Sequence, residues 1–315
     1  VECERQHGLH IWSDEFLVET IDQGGKRTFV WEMRQALASY LAAVSIGEYE
    51  LEESEAPNGV LIRNYFASGL AGKAAPLFAP TADMIAYFAE QFGPYPFEAY
   101  GVVVPMAATE AAMENQTISL FGTDVLERLS SDATTRDVYL SHELAHQWFG
   151  NSVTITRWAD IWLNEGFATY ASWLWLEHDQ GPRALQAMVE ESLRMLRGKD
   201  YPLLTDPESD LFSANVYRRG ALTLHALRLT VGDEAFLRIL REWAARYQYA
   251  NATTDDFITL AQELATDVPA AVFSGLFDAE VFPLLTPRAA DLETGFPAIA
   301  NLALHLAVRL RRAAD

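Results

Sequence analysis

The alternation of apolar and polar residues in the first part of the chain predicts short β-strands. The strand-like runs fall at residues 9–12, 16–20, 28–32, 36–47 and 48–52, with a turn at residues 22–25. Similar runs recur at residues 60–66, 101–105 and 117–121. A polar, turn-rich stretch at residues 55–59 separates the two groups, and we therefore predict a domain boundary between residues 57 and 58.

Apolar residues in the remainder of the chain recur at the three- and four-residue spacing of amphipathic helices. One helix is predicted at residues 81–92, and others at 133–150, 158–180, 182–197, 213–231, 233–247, 254–265, 269–281 and 288–315. Strands followed by helices are typical of α+β domains. We predict such a domain over residues 58–285, with a β segment at residues 1–57 before it and a helical tail at residues 286–315 after it.

Composition and charge restrict the possible partners. The chain has 44 acidic and 23 basic residues, a net charge of -21, which disfavours nucleic acid and anionic membranes and mildly favours cationic ligands. Solubility alone also accounts for this charge. No run of 18 apolar residues is present, so no membrane span is predicted.

The single cysteine, Cys3, excludes an intramolecular disulfide and a cysteine-based zinc site. A chain with one cysteine suits a reducing compartment, and we expect a cytoplasmic rather than a secreted protein. The chain begins at Val1 without the pattern of a signal peptide, and we interpret it as a fragment or a processed chain.

Two histidines, His142 and His146, lie four residues apart in the run HELAH. Four residues make about one helical turn, so both rings lie on one face and can hold one divalent cation. Glu143 can then act as general base toward a zinc-activated water, and Glu165, nineteen residues after His146, can complete a His₂Glu site with an open fourth position. A bare HExxH run also occurs by chance, where the two histidines bind nothing.

Two longer motifs resemble the zinc-binding segments of the aminopeptidase N family. Residues 142–151 read HELAHQWFGN and residues 158–170 read WADIWLNEGFATY, and the similarity extends from about residue 29 to about residue 283. The resemblance implies a thermolysin-like zinc metallopeptidase domain, one Zn²⁺ per chain, and release of the first residue from peptides with a free amino terminus. It also implies that residues 1–57 are the end of an N-terminal β domain.

A third motif concerns the substrate. Residues 111–115 read AAMEN, which is similar to the family's Gly-Ala-Met-Glu-Asn, with Ala111 in place of the glycine. The resemblance implies that Ala112, Met113, Glu114 and Asn115 contact the substrate and that Glu114 binds its α-amino group. The alternative for Glu114 is a solvated carboxylate at the end of a strand.

Tyr217 precedes the run Arg-Arg-Gly and resembles the family's tyrosine in a Tyr-x-Lys/Arg-Gly context. The resemblance implies that its hydroxyl stabilises the oxyanion of the intermediate; the alternative is a core tyrosine on a helix. Asp160 precedes the helix of Glu165 and is either a hydrogen-bond partner of a zinc-ligating histidine or a helix N-cap.

The motifs together favour a zinc-dependent aminopeptidase. A zinc endopeptidase on the same scaffold is disfavoured by Glu114, and no residue specifically supports an epoxide hydrolase. A non-catalytic relative used for binding would be expected to lose a metal ligand or the base. The chain retains His142, His146, Glu165 and Glu143.

Overall fold

A computed structural model describes residues 2–4, 9–13, 16–109, 111–196, 211–266 and 268. The chain divides into two compact units. The first runs to Thr154 and includes Gln248–Ala250, and the second runs from Ile155 to Tyr247 and resumes at Asn251. The helices predicted at residues 269–281 and 288–315, and the tail over residues 286–315, lie outside the described residues.

Two β-sheets lie in the first unit. Their strands are β1 (Glu2–Glu4), β2 (Leu9–Ser13), β3 (Phe16–Gln23), β4 (Lys26–Glu32), β5 (Val44–Glu55), β6 (Leu61–Ala67), β7 (Ala99–Val104), β8 (Ala112–Met113) and β9 (Ser119–Phe121). One sheet has the order β1-β4-β3 and is antiparallel. The other has the order β2-β5-β6-β7-β9-β8, in which β6, β7 and β9 run parallel.

The apolar run β7 is one of the interior strands of the larger sheet. All six of its residues are buried, as expected for a parallel strand that is covered on both faces. On the other side of β6, strand β5 pairs antiparallel with β6 from Tyr49↔Ala67 to Glu55↔Leu61. The sheet is therefore continuous past residues 57 and 58, and the domain boundary between them stays a prediction.

Four α-helices accompany these strands in the described part of the first unit. They are α1 (Ala71–Ala74), α2 (Thr81–Phe92), α3 (Thr123–Leu129) and α4 (Ala133–Ala145). Asp132 is the N-cap of helix α4, and its Oδ1 accepts a hydrogen bond from the Thr135 N–H at 2.8 Å. Phe88 and Phe92 of α2 contact the ring of Trp148, so an aromatic cluster holds the segment that follows α4.

The α-helix of the HELAH motif is shorter than the sequence predicts. It ends at Ala145 instead of residue 150, and His146 is its C-cap. His146 nevertheless keeps right-handed helical angles, with φ -57° and ψ -24°, so the one-turn relationship to His142 is preserved.

The second unit is helical over most of its described residues. Its helices are α5 (Trp162–Gln180), α6 (Pro182–Met195), α7 (Gly220–Val231), α8 (Asp233–Arg246) and α9 (Thr254–Leu264). Two three-residue strands, β10 (Val153–Ile155) and β11 (Ala250–Ala252), complete the β-strands of the described residues. None of the helices in the described residues is both long and apolar enough to span a membrane.

Two predicted elements begin differently in the structure. The helix predicted at residues 213–231 is a π-helical segment, Asn215–Arg219, followed by α7. The strand predicted at residues 117–121 begins only at Ser119, because Thr117 has a φ of 67° and belongs to a turn.

Candidate active site

The two histidines of the HELAH motif present their Nε2 atoms to each other in the first unit. The His142 and His146 Nε2 atoms are 3.1 Å apart. The Nδ1 atom of His146 lies 3.0 Å from the backbone carbonyl oxygen of Phe149. Because a carbonyl only accepts hydrogen bonds, Nδ1 is the donor in this contact and Nε2 is the ring nitrogen with the lone pair.

This donor pair fits zinc. Two nitrogen ligands at Zn–N distances of about 2.0–2.1 Å are about 3.3 Å apart in a tetrahedral site. The observed 3.1 Å separation is close to that value. Imidazole nitrogen is also a ligand type that suits zinc.

Two carboxylates accompany the histidines. Glu143 is 7% exposed and Glu114 is 8% exposed. One carboxylate oxygen of each and a ring nitrogen of His146 all lie within 4.8 Å of one another. A cluster with two nearby buried carboxylates attracts cations, whether a metal ion or an ammonium group.

The charge of Glu143 also acts on a neighbouring phenol. Burial raises the pKa of Tyr100 above its usual range, the hydrogen bond with Ser119 opposes this shift, and the negative charge of Glu143 adds to it. Tyr100 is therefore neutral at physiological pH.

The AAMEN motif lies along the edge of the larger sheet. Ala112 and Met113 form β8 and pair antiparallel with β9, opposite Phe121 and Leu120. Both are half-buried. The side chain of Asn115 is buried and donates from Nδ2 to the backbone oxygen of Leu41 at 2.8 Å, so this amide holds the protein's own backbone.

Glu165 lies in the second unit. It is 4% exposed and belongs to the first turn of α5. Asp160, just before that helix, is fully buried and accepts hydrogen bonds from Arg157 Nε at 2.6 Å and from Thr254 Oγ1 at 2.7 Å. Helix α5 has no side-chain hydrogen bond at its N-cap, so the capping role predicted for Asp160 is wrong.

Tyr217 also lies in the second unit. It is half-buried within the π-helical segment Asn215–Arg219, directly before α7. Short π-helical insertions are rare and occur frequently at functional sites, because they reorient side chains relative to a regular helix. The assignment of Tyr217 to catalysis stays a prediction.

Comparison with known proteins identifies the family. Residues 78–274 match the model of the peptidase family M1 domain. The chain belongs to peptidase family M1. The match includes β7, all of the residues predicted to bind metal or substrate, and Tyr217.

Curated members of family M1 resemble the chain over most of its length. Aminopeptidase M1-A of Oryza sativa subsp. japonica is 30% identical over 244 residues, which is 72% of this chain and 28% of the relative. Human aminopeptidase N is 30% identical over 237 residues, which is 68% of this chain and 24% of that protein. The chain thus spans roughly a quarter of the length of these two relatives.

A solved family M1 structure has the same fold. The M1 zinc metallopeptidase of Deinococcus radiodurans superposes with a TM-score of 0.76 at 31% identity, covering 87% of this chain and 62% of that chain. The predicted α+β, thermolysin-like metallopeptidase fold is confirmed at the level of the family. The non-catalytic, endopeptidase and epoxide hydrolase alternatives gain no support from these comparisons.

Two buried amides of the first unit were not among the predicted site residues. Gln147 and Asn151 follow His146 in the run QWFGN, and they are 0% and 2% exposed. Polar amides within an otherwise apolar, aromatic stretch need hydrogen-bond partners when buried, and that pattern was the available signal.

Proposed function

We propose that the chain is the metallopeptidase part of a zinc-dependent aminopeptidase. The observation that carries the proposal is the buried cluster of His146, Glu143 and Glu114, with His142 Nε2 3.1 Å from His146 Nε2. Membership of family M1 supports the same conclusion. The proposed substrates are peptides with a free amino terminus.

The metal ligands proposed are His142, His146 and Glu165, with one Zn²⁺ per chain. The two imidazole nitrogens fit such an ion by type and separation. Support for Glu165 comes from the sequence motif and from its burial at the start of α5. When bound, zinc supplies a Lewis acid that polarises the scissile carbonyl and increases the acidity of water.

Glu143 is proposed as the general base. Its carboxylate takes a proton from the water that attacks the scissile carbonyl carbon, and then delivers this proton to the leaving nitrogen as the C–N bond breaks. Its position beside His142 on α4 and within 4.8 Å of a His146 nitrogen supports this role. Tyr217 is proposed to donate a hydrogen bond to the oxyanion that develops on the carbonyl oxygen.

Glu114 is proposed to bind the α-ammonium group of the substrate. A buried carboxylate forms strong charge-assisted hydrogen bonds with an ammonium group. This contact stops the substrate peptide from entering further into the active site. Ala112 and Met113, at the edge of the sheet, are proposed to line the same substrate path. Asn115 is proposed to support this path through its hydrogen bond to the backbone oxygen of Leu41. Cleavage then falls after the first residue.

Partners and location are proposed from the sequence alone. The net charge of -21 disfavours nucleic acid as a ligand, and the single cysteine favours the cytoplasm.

The test is hydrolysis of aminoacyl-arylamides and of one peptide in free and N-acetylated forms by the full-length protein. We expect release of the first residue from the free peptide, loss of activity with a chelator, and little or no cleavage of the acetylated peptide. Glu114→Gln should raise KM for the free peptide and leave the zinc content unchanged. Efficient internal cleavage of the acetylated peptide by the wild-type protein would contradict the aminopeptidase assignment.

A further inference from the structure

Gln147 and Asn151 place two amide groups in the interior of the first unit, directly after the histidine pair. Neither is needed to ligate a metal, and both are almost completely shielded from solvent. Burying an amide is unfavourable unless its polar atoms are hydrogen-bonded. The hydrogen bonds that these two side chains make therefore indicate what they do.

Gln147 forms hydrogen bonds with the backbone of residues 114–117. Its Oε1 accepts from the Thr117 N–H at 2.8 Å, and its Nε2 donates toward the Asn115 carbonyl oxygen at 3.3 Å and the Glu114 carbonyl oxygen at 3.5 Å. Asn151 Nδ2 donates to the same Glu114 carbonyl oxygen at 2.7 Å. Two side chains from one segment thus converge on the backbone of Glu114.

The segment that they hold has a backbone conformation that needs support. Thr117 has a φ of 67°, which is unfavourable for a β-branched residue. Such conformations persist only where surrounding contacts fix them. The Ile118 N–H closes the turn on the Asn115 carbonyl oxygen at 3.1 Å, and the bond from the Thr117 N–H to Gln147 fixes its middle.

The segment that follows α4 carries these amides and begins with His146, a proposed metal ligand. Gln147 directly follows His146, and the Asn151 N–H donates to the His146 carbonyl oxygen at 3.0 Å. One short segment therefore fixes both the imidazole of His146 and the backbone of Glu114. The distance between these two groups determines where an amino-terminal residue lies relative to Glu143.

We propose that Gln147 and Asn151 are positioning residues for the recognition of the substrate's amino terminus. They hold Glu114 at a fixed distance from the histidine pair, so that an α-ammonium group bound by Glu114 presents its own carbonyl carbon for attack. This inference rests on the proposed role of Glu114 as the amine ligand. Neither side chain touches substrate, and both act through the backbone of Glu114.

The test compares the binding of two inhibitors that differ only in the amine. An α-amino hydroxamate and its des-amino analogue share the same metal-binding group, so the ratio of their inhibition constants measures amine recognition alone. That ratio does not depend on the fraction of folded protein. Gln147→Met and Asn151→Leu keep side-chain volume and remove the hydrogen bonds.

For each variant we expect the inhibition constant of the amino hydroxamate to rise about tenfold while that of the des-amino analogue changes by less than about twofold. Zinc content by elemental analysis should stay at the wild-type value. In a Glu114→Gln background, Gln147→Met should change neither inhibition constant by more than about twofold, because the group through which it acts is gone. Asn64→Leu is the control: Asn64 Oδ1 accepts from the Val102 N–H at 3.2 Å, a half-buried amide–backbone bond in the same unit.

Two results would overturn the inference. One is an equal rise for both hydroxamates in the Gln147 and Asn151 variants, which indicates a merely structural role. The other is that neither inhibition constant changes in variants that remain folded and loaded with zinc. If instead the wild-type protein binds both hydroxamates equally well, the amine-binding role of Glu114 fails first, and the proposed function fails with it.

Discussion

Gly166 in α5 and Gly220 at the start of α7 are in direct backbone contact. A Cβ atom built on Gly166 would lie 2.8 Å from the Cα of Gly220, and a Cβ built on Gly220 would lie 2.8 Å from the Cα of Gly166. The same Cβ on Gly166 would lie 3.3 Å from the backbone oxygen of Val216. The contact therefore sets the spacing between α5, the helix that carries Glu165, and the π-helical segment that carries Tyr217.

Gly166→Ala should consequently destabilise the protein. Alanine favours a helix interior by about 1 kcal/mol over glycine, but the added methyl group meets backbone atoms that cannot rotate away. Overpacking of this kind costs about 1–3 kcal/mol. We expect a net loss of unfolding free energy in urea titrations, and a lower kcat because Tyr217 is displaced.

The control for this change is Gly72→Ala in α1. A Cβ on Gly72 meets no atom within 4 Å, so the substitution should leave stability unchanged or raise it slightly. Equal stability of the Gly166→Ala and wild-type proteins would show that α5 and α7 separate without cost.

Glu143→Gln should keep zinc and lose turnover. The histidines on either side of Glu143 in the motif are unchanged, whereas an amide cannot accept the proton. Loss of a general base typically lowers the rate by about 10²–10⁴-fold. Elemental analysis and kcat on an aminoacyl-arylamide measure the two effects, and Glu127→Gln, an exposed change on α3, is the control. A zinc-loaded Glu143→Gln protein with normal kcat would remove Glu143 from the mechanism.

Glu165→Ala should weaken zinc retention. Without its carboxylate, two imidazoles alone would hold the ion, and structural or catalytic zinc sites use at least three protein ligands. Dialysis against increasing chelator, followed by elemental analysis, compares this variant with wild type and with Glu190→Ala, an exposed change on α6. The assignment of Glu165 as a ligand does not survive if both variants release zinc at the same chelator concentration.

The HELAH motif allowed the histidine pair and Glu143 to be predicted, because one-turn spacing depends only on local helix geometry. The end of α4 at Ala145 was not predictable, since it depends on tertiary contacts of Trp148 and Phe149 with α2. Thr117 was predicted to begin a strand because residues 117–121 form a strand-like run. Its positive φ is fixed by Gln147, thirty residues further along the chain.

The π-helical segment at Tyr217 and the hydrogen bonds of Asp160 could not be predicted from the sequence either. A single sequence shows apolar spacing, and π-helical and α-helical spacing are indistinguishable over five residues. Asp160 binds Thr254, ninety-four residues away in sequence, so its partner could not be predicted from local pattern. Side-chain hydrogen bonds between distant segments are what the sequence leaves undetermined.

His225 should make stability depend on pH between about 6.5 and about 4. Its ring is 8% exposed, Nδ1 lies 3.1 Å from the Tyr170 hydroxyl, and Nε2 is buried without a hydrogen-bond partner. Burial lowers the pKa of His225 from 6.5 to about 4, the charge of Arg228 adds to this lowering, and Asp233 opposes it. Below pH 6.5 the unfolded chain gains a proton that the folded chain does not bind.

The folded state therefore loses stability as the pH falls through this window, by about 3 kcal/mol at 1.36 kcal/mol per pH unit. His225→Gln cannot titrate, so its unfolding free energy should fall less between pH 6.5 and 4 than that of wild type. Urea titrations at each pH measure the difference, with His178→Gln, an exposed change near the end of α5, as the control. Identical pH profiles for wild type and His225→Gln would show that His225 does not cause the loss.

Tyr217→Phe should lower kcat with little effect on KM. Phenylalanine keeps the ring packing of the π-helical segment and removes only the hydroxyl, which is expected to bind the oxyanion and not the ground-state carbonyl. Loss of one oxyanion donor costs on the order of 3–4 kcal/mol, or about 10²–10³ in kcat. Tyr170→Phe in the same unit is the control, because the Tyr170 hydroxyl bonds His225 and its loss should reduce stability without changing kcat. A Tyr217→Phe protein with unchanged kcat and a raised KM would make Tyr217 a substrate-binding residue. If both kcat and KM are unchanged, Tyr217 is a core tyrosine without a role in catalysis.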